Sequence, residues 1–226
     1  MLEEKPTGYY DGLNTFLLNL IPADASVVLE VGCAVGNLGR AYKERNPASR
    51  YYGVELHPPS AEIAATKLDK VFTGAVEDID LSSLEGTVDC IVYGDVLEHL
   101  VDPWASLRAN LKLLKPDGKI AACIPNVQHW SLLQHVLKGY WVYSEHGLLD
   151  RTHLRFFTLH SIMTMFADTG YQVESAFGLN VDQEGAADFV EQMSPALNNL
   201  GIDPPEFLEH CSVMQYLVVA TPAARA

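Results

Sequence analysis

The segment Val27-Val28-Leu29-Glu30-Val31-Gly32-Cys33-Ala34-Val35-Gly36 sets a short apolar run, a carboxylate and a glycine-rich turn in direct succession. A run of that length, closed by a glycine turn, reads as a strand buried on both faces, the kind found inside a parallel sheet. A second run, Tyr51-Tyr52-Gly53-Val54, ends in another acid, Glu55. Two buried strands that each deliver a carboxylate at the C-terminal end point to an open α/β sheet with a crevice at that edge. Such a crevice suits a nucleoside. The first turn lets the backbone approach the ligand, and Glu55 has two acceptor oxygens for the ribose hydroxyls. Gly32 and Gly36 would leave space where a β-carbon meets the ligand, and either can take a positive φ. A plain strand-to-helix turn and a solvated strand-end acid are the simpler alternatives. A nicotinamide fingerprint requires G-x-G-x-x-G, but the register here reads Gly32, Ala34, Asn37, which argues against a pyrophosphate cradle.

The remaining chain alternates strand-like and helix-like segments, as a mostly parallel sheet covered on both faces requires. A leading helix is expected over Gly8 to Leu20, carrying Tyr9 and Tyr10, which could close over a ligand. Strands follow at about 27–31, 51–54, 71–73, 88–93, 119–124, 171–177 and 213–219, with helices at about 37–45 and 61–67. Asp102 is a candidate N-cap with Pro103 in the first helical position, and Trp104, Leu107, Leu111 and Leu114 recur at helical spacing. Thr158 can cap another helix, with Leu159, Ile162, Met163 and Phe166 on one face and Gly170 beyond its end. Residues 125–156 and 179–211 interrupt the alternation. The chain therefore reads as one domain, 1–226, with two insertions on the side of the sheet where substrates bind.

Composition narrows the partners. The formal net charge is −14 and no basic stripe is visible, which disfavours nucleic acid. No run approaches the ~18 apolar residues of a membrane span. Residues 1–6 have no apolar signal core, and Cys33, Cys90, Cys123 and Cys211 are too scattered for a zinc or disulfide framework. These features suggest a cytoplasmic protein with reduced thiols; oligomeric state is not legible.

Glu30-Val31-Gly32-Cys33-Ala34-Val35-Gly36, Glu55, the segment from Asp89 to His99 and the turn Leu114-Lys115-Pro116-Asp117-Gly118-Lys119 together resemble the class I S-adenosylmethionine-dependent methyltransferases. The resemblance covers about residues 27–124, and the later strand pattern extends it. It departs at Ala34, where the family often has a third glycine. It implies a Rossmann-like, doubly wound, seven-stranded sheet, mostly parallel with an antiparallel last strand. It also implies S-adenosylmethionine as cofactor, with Glu30, Gly32, Cys33, Gly36, Glu55, Leu56, Val76, Glu77, Gly94 and Asp95 as cofactor-binding residues.

Asp95-Val96-Leu97-Glu98-His99 resembles the acid-x-x-Glu-His that lines the methyl-transfer cavity in many relatives. In small-RNA 2′-O-methyltransferases and ubiquinone-pathway O-methyltransferases such a cluster helps hold a divalent metal, and His153 could be a further member here. The plainer alternative is that Glu98 and His99 shape the loop, and no metal ligand is assigned. Within 148–158, Arg151, His153 and Arg155 would share one face if the segment were extended, giving an anion grip plus a base; an ion-paired brace to Asp150 and Glu145 is the alternative. Asn126, Gln128 and Trp130 could line an acceptor pocket, with Tyr140, Trp141 and Tyr143 as a lid.

Methyl transfer from a sulfonium is an in-line displacement, so the protein mainly aligns the reacting atoms. A hydroxyl acceptor also has a proton to lose, which suits histidine. The expected function is O-methylation of a small acceptor, anionic or sugar-linked, with His153 as base and His99 and Glu98 in support. A catalytically silent cofactor-binding subunit and a nicotinamide-dependent oxidoreductase are the alternatives.

Overall fold

The computed structural model describes residues 12–224. Tyr9 and Tyr10 lie outside them. Seven strands form one sheet in the order β3-β2-β1-β4-β5-β7-β6. They are β1 (Val27–Val31), β2 (Arg50–Glu55), β3 (Lys70–Thr73), β4 (Val88–Gly94), β5 (Leu114–Pro125), β6 (Tyr171–Val181) and β7 (Val213–Pro222). All neighbours pair in parallel except β7, which runs antiparallel to both β5 and β6.

Period-two alternation sorts each central strand between two cores. Leu29, Val31, Ile91, Tyr93, Ile120 and Ala122 face one side, where they meet Leu107 of α4 (Pro103–Leu111) and Ile162, Met165 and Phe166 of α6 (Leu159–Asp168). Val28, Cys90, Val92, Ala121 and Cys123 face the other, against Leu17 and Leu18 of α1 (Thr15–Leu20), Leu38 and Tyr42 of α2 (Asn37–Arg45) and Ala64 of α3 (Pro58–Ala64). The sheet is thus covered on both faces, which is why its strands read as unbroken apolar runs.

The expected caps form. Asp102 accepts from Ala105 N–H at 2.9 Å, and Thr158 and Ser161 make a reciprocal capping box at the start of α6. The leading helix is shorter than its pattern suggests. Asn14 accepts from Leu17 N–H and starts α1 at Thr15, so residues 12–14 are not helical. Strand β6 runs on to Val181 beside β7, past the expected end at 177.

The two interruptions carry helices of their own. α5 (Trp130–Leu137) lies in the first, and α7 (Gln183–Asn199) and α8 (Pro204–Cys211) in the second. Ala186, Phe189, Val190, Leu197 and Cys211 make a third apolar cluster, with Trp130 packed against it. The helices α7 and α8 therefore pack with α5, and residues 179–211 supply no lining residue to the cleft described next.

Candidate active site

The strand order reverses between β1 and β4, so their C-terminal ends diverge and open a crevice. A cleft of about 1160 Å³ lies there. Of the residues expected to hold the cofactor, Glu30, Gly32, Cys33, Glu55, Leu56, Val76, Glu77, Gly94 and Asp95 line it; Gly36 does not.

The glycine turn takes the expected conformation. Gly32, Ala34 and Gly36 all have positive φ, at 73°, 47° and 76°. A β-carbon on Gly32 would lie 2.4 Å from Val96 Cγ2, and one on Gly36 would lie 3.1 Å from Ala64 Cα. Both glycines thus make room for the protein's own packing, with Gly36 leading into α2. Cys33 Sγ turns toward β2, where a side chain on Gly53 would strike it at 2.4 Å.

Glu55 anchors the turn as well as facing the cleft. Its carboxylate accepts from Ala34 N–H and from His57 N–H, each at 2.8 Å. Each oxygen keeps a second lone pair for a ligand hydroxyl. Glu30 is buried and accepts from the Tyr51 hydroxyl at 3.1 Å. Burial pushes the Glu30 carboxyl up to about 8. Gly74, Ala75, Val76 and Glu77 form the far wall, and Asp78 stays outside it.

Acid density rises at the end of β4. Asp95 has a φ of 53°, and Gln215 Nε2 donates to it at 2.5 Å. Burial raises Asp95 to about 6. The following 3-10 turn, Leu97–His99, places Glu98 and His99. Glu98 is 1% exposed, and neither of its carboxylate oxygens has a hydrogen-bond partner among the described residues. Burial, and then the charge of Asp95, hold its carboxyl well above the usual range. A backbone staple brings the second loop alongside: Leu154 and Arg155 N–H both donate to Glu98 C=O, at 2.8 and 3.0 Å.

That staple sets His153 against Glu98, with Nε2 3.9 Å from Oε1. The rings of His99 and His153 meet edge-on at 4.7 Å. Glu98, His99 and His153 each offer a donor atom within 4.8 Å of the others, a set that could hold a divalent ion. Asp95 is outside this set.

The anion grip does not form. Residues 151–152 are a turn and 153–156 are irregular rather than a strand, so the period-two expectation fails. His153 turns inward while Arg151 pairs with Glu145 at 2.6 Å, and Arg155 donates to the Leu154 and Val101 carbonyls. Asn126 is fully buried and bonds the His210 and Val213 carbonyls. Trp130 donates to Asp182 and stacks near Phe189. Neither these residues nor Tyr140, Trp141, Tyr143 and Gln128 line the cleft; Trp141 packs on Phe156. The sequence reading missed Asp150, Thr152, Leu148, Met214 and Gln215, all of which do.

An open α/β sheet with an acid-lined crevice at its switch point defines a nucleoside-binding fold. Residues 1–176 match the family described as a methyltransferase domain, and the chain belongs to that family. Among curated proteins it is similar to a ubiquinone biosynthesis O-methyltransferase of Idiomarina loihiensis, 33% identical over 123 residues, 49% of each chain. A protein of the same name from Chromobacterium violaceum is 27% identical over 74% of this chain and 76% of its own. The chain spans about half the length, or less, of the first curated relatives it matches. A S-adenosylmethionine-dependent methyltransferase of Archaeoglobus fulgidus shares the fold, with a TM-score of 0.65 and 16% identity over 95% of this chain and 96% of that one.

Proposed function

We propose that this chain methylates a hydroxyl of a small, uncharged acceptor, and that His153 takes the hydroxyl proton. One observation carries the reading: His153 Nε2 stands 3.9 Å from Glu98 Oε1 at the cleft, while its Nδ1 faces the Leu148 carbonyl at 3.2 Å. A carbonyl only accepts, so Nδ1 holds the proton and Nε2 is the basic nitrogen. A proton gained there makes an imidazolium 3.9 Å from the Glu98 carboxyl, and that positive charge would favour the ionised form of Glu98 and be stabilised by it.

S-adenosylmethionine, when bound, supplies a methyl group already activated on a sulfonium. Glu55 would hold the ribose, Val76 and Glu77 the adenine end, and Glu30 with the 32–34 turn the amino-acid end. The volume suits this, since small-ligand pockets run to about 1,000 Å³. Residues 125–156 act as the acceptor-side insertion through Pro125, Leu148, Asp150, Thr152 and His153. A neutral acceptor is favoured over an anionic one because Asp95, Glu98 and Asp150 line that half, while its guanidinium, Arg151, is paired with Glu145. The O-methyltransferase names of the relatives agree with a hydroxyl acceptor.

A second reading adds a divalent ion held by Glu98, His99 and His153. The unbonded buried oxygens of Glu98 favour it, since a cation would satisfy them. Such an ion would acidify a bound hydroxyl. Labelled methyl transfer to a panel of phenols, sugars and amines, with and without prior chelation, separates the readings. We expect hydroxyl products and a fall of about 100-fold or more in His153→Ala. Unchanged turnover in that variant, or transfer to amines alone, overturns the assignment.

A further inference from the structure

Without a metal ion His99 has no role of its own in the proposal above, although it lies between the two loops that make the acceptor half. Its Nδ1 faces two oxygens of one residue, the Thr152 carbonyl at 3.2 Å and the Thr152 hydroxyl at 3.1 Å. The hydroxyl is itself committed, since Thr152 Oγ1 donates to Asp150 Oδ1 at 2.7 Å. With its only proton spent there, the Thr152 oxygen can only accept from the ring. Asp150 is 1% exposed. The same Oδ1 also accepts from Thr152 N–H at 2.8 Å, and the Asp150 carbonyl accepts from His153 N–H at 3.0 Å.

We propose that Asp150 and Thr152 are positioning residues that fix His99 as its Nδ1–H tautomer, so that the ring lone pair of His99 sits on Nε2. The direction of each bond in the chain follows from the one before it. The buried carboxylate takes the hydroxyl proton, the hydroxyl oxygen then takes the ring proton, and the ring keeps its lone pair on Nε2. The Asp150 main-chain carbonyl also accepts from His153 N–H, so one residue bears on both histidines, on His99 through its carboxylate and on the backbone of His153 through its carbonyl. His153 shows the same polarity through the Leu148 carbonyl. Two histidines from loops far apart in sequence are therefore presented with the same nitrogen basic, which either a proton relay or a pair of ligands requires. The proposal deepens the function above in the role it gives His99, but its test does not depend on turnover.

The measurement is a two-bond proton–nitrogen spectrum of the full chain labelled with 15N-histidine, in which the two ring nitrogens report the tautomer directly. His99→Gln identifies the His99 signals by their loss. We expect wild-type His99 as Nδ1–H, a shift toward the other tautomer in Thr152→Val, and return of the wild-type pattern in Thr152→Ser. His153 should keep its pattern in both Thr152 variants. A wild-type His99 protonated on Nε2, or a Thr152→Val spectrum identical to wild type, overturns the proposal. Should Thr152→Val fail to fold, the wild-type spectrum still decides. If His153→Ala turns over normally while His99 shows the expected tautomer, the functional reading fails and this inference stands.

Discussion

Glu98 Oε1 and His153 Nε2 lie 3.9 Å apart, on side chains that are 1% and 6% exposed. Neither Glu98 oxygen is hydrogen-bonded among the described residues. A buried polar group left in that state costs stability, about 1–3 kcal/mol. Glu98→Leu should therefore raise the urea midpoint by an amount corresponding to about 1–3 kcal/mol while abolishing methyl transfer. A less stable Leu variant would mean that the carboxyl is satisfied in solution.

Glu30 gives a pH signature. Its carboxyl ionises at about 8 in the folded chain against an ordinary 4.5, chiefly through burial. The folded pKa is raised, so its contribution to stability is fully present below about pH 4.5 and is lost as pH rises through about 8. Each unit of difference corresponds to about 1.4 kcal/mol. Urea unfolding of wild type should weaken between about pH 5 and pH 8 more than that of Glu30→Gln. Parallel curves for the two proteins would contradict the raised value.

Gly32 tests the turn. A β-carbon there meets Val96 Cγ2 at 2.4 Å and forces an L-residue to a φ of +73°. Gly32→Ala should cost about 2–4 kcal/mol in thermal or urea unfolding. Adding Val96→Ala should recover the overlap and leave the φ cost of about 1–2 kcal/mol. Full recovery in the double variant would show that backbone strain is not involved.

The central strands, α4 and α6 were legible because their determinants are local. Apolar runs ended by Glu30 and Glu55, and the Asp102 and Thr158 caps, sit within a few residues of what they specify. α8 carried the same kind of signal, Asp203 before Pro204, with the Asp203 side chain accepting from Glu206 N–H. α7 was harder to read, since Gly185 and Pro195 interrupt its pattern. The polar loop residues misled for a different reason. Asn126 looked like pocket lining, but its amide bonds a carbonyl 84 residues away, and nothing in local spacing announces a buried acceptor that distant. Arg151 and Arg155 likewise looked like ligand contacts, yet Glu145 and backbone carbonyls hold them. His153 was picked from its type, whereas Asp150 and Thr152 show their role only when the second loop folds onto Glu98.

The division of the cleft into a cofactor half at Glu55 and an acceptor half at His153 is tested most directly by calorimetric titration with S-adenosylhomocysteine. Glu55→Ala should weaken binding by about tenfold or more, as expected for losing a hydrogen-bonded charge worth about 1.5–3 kcal/mol. His153→Ala should bind as wild type does. Wild-type affinity in Glu55→Ala, or an equal loss in His153→Ala, would contradict the account.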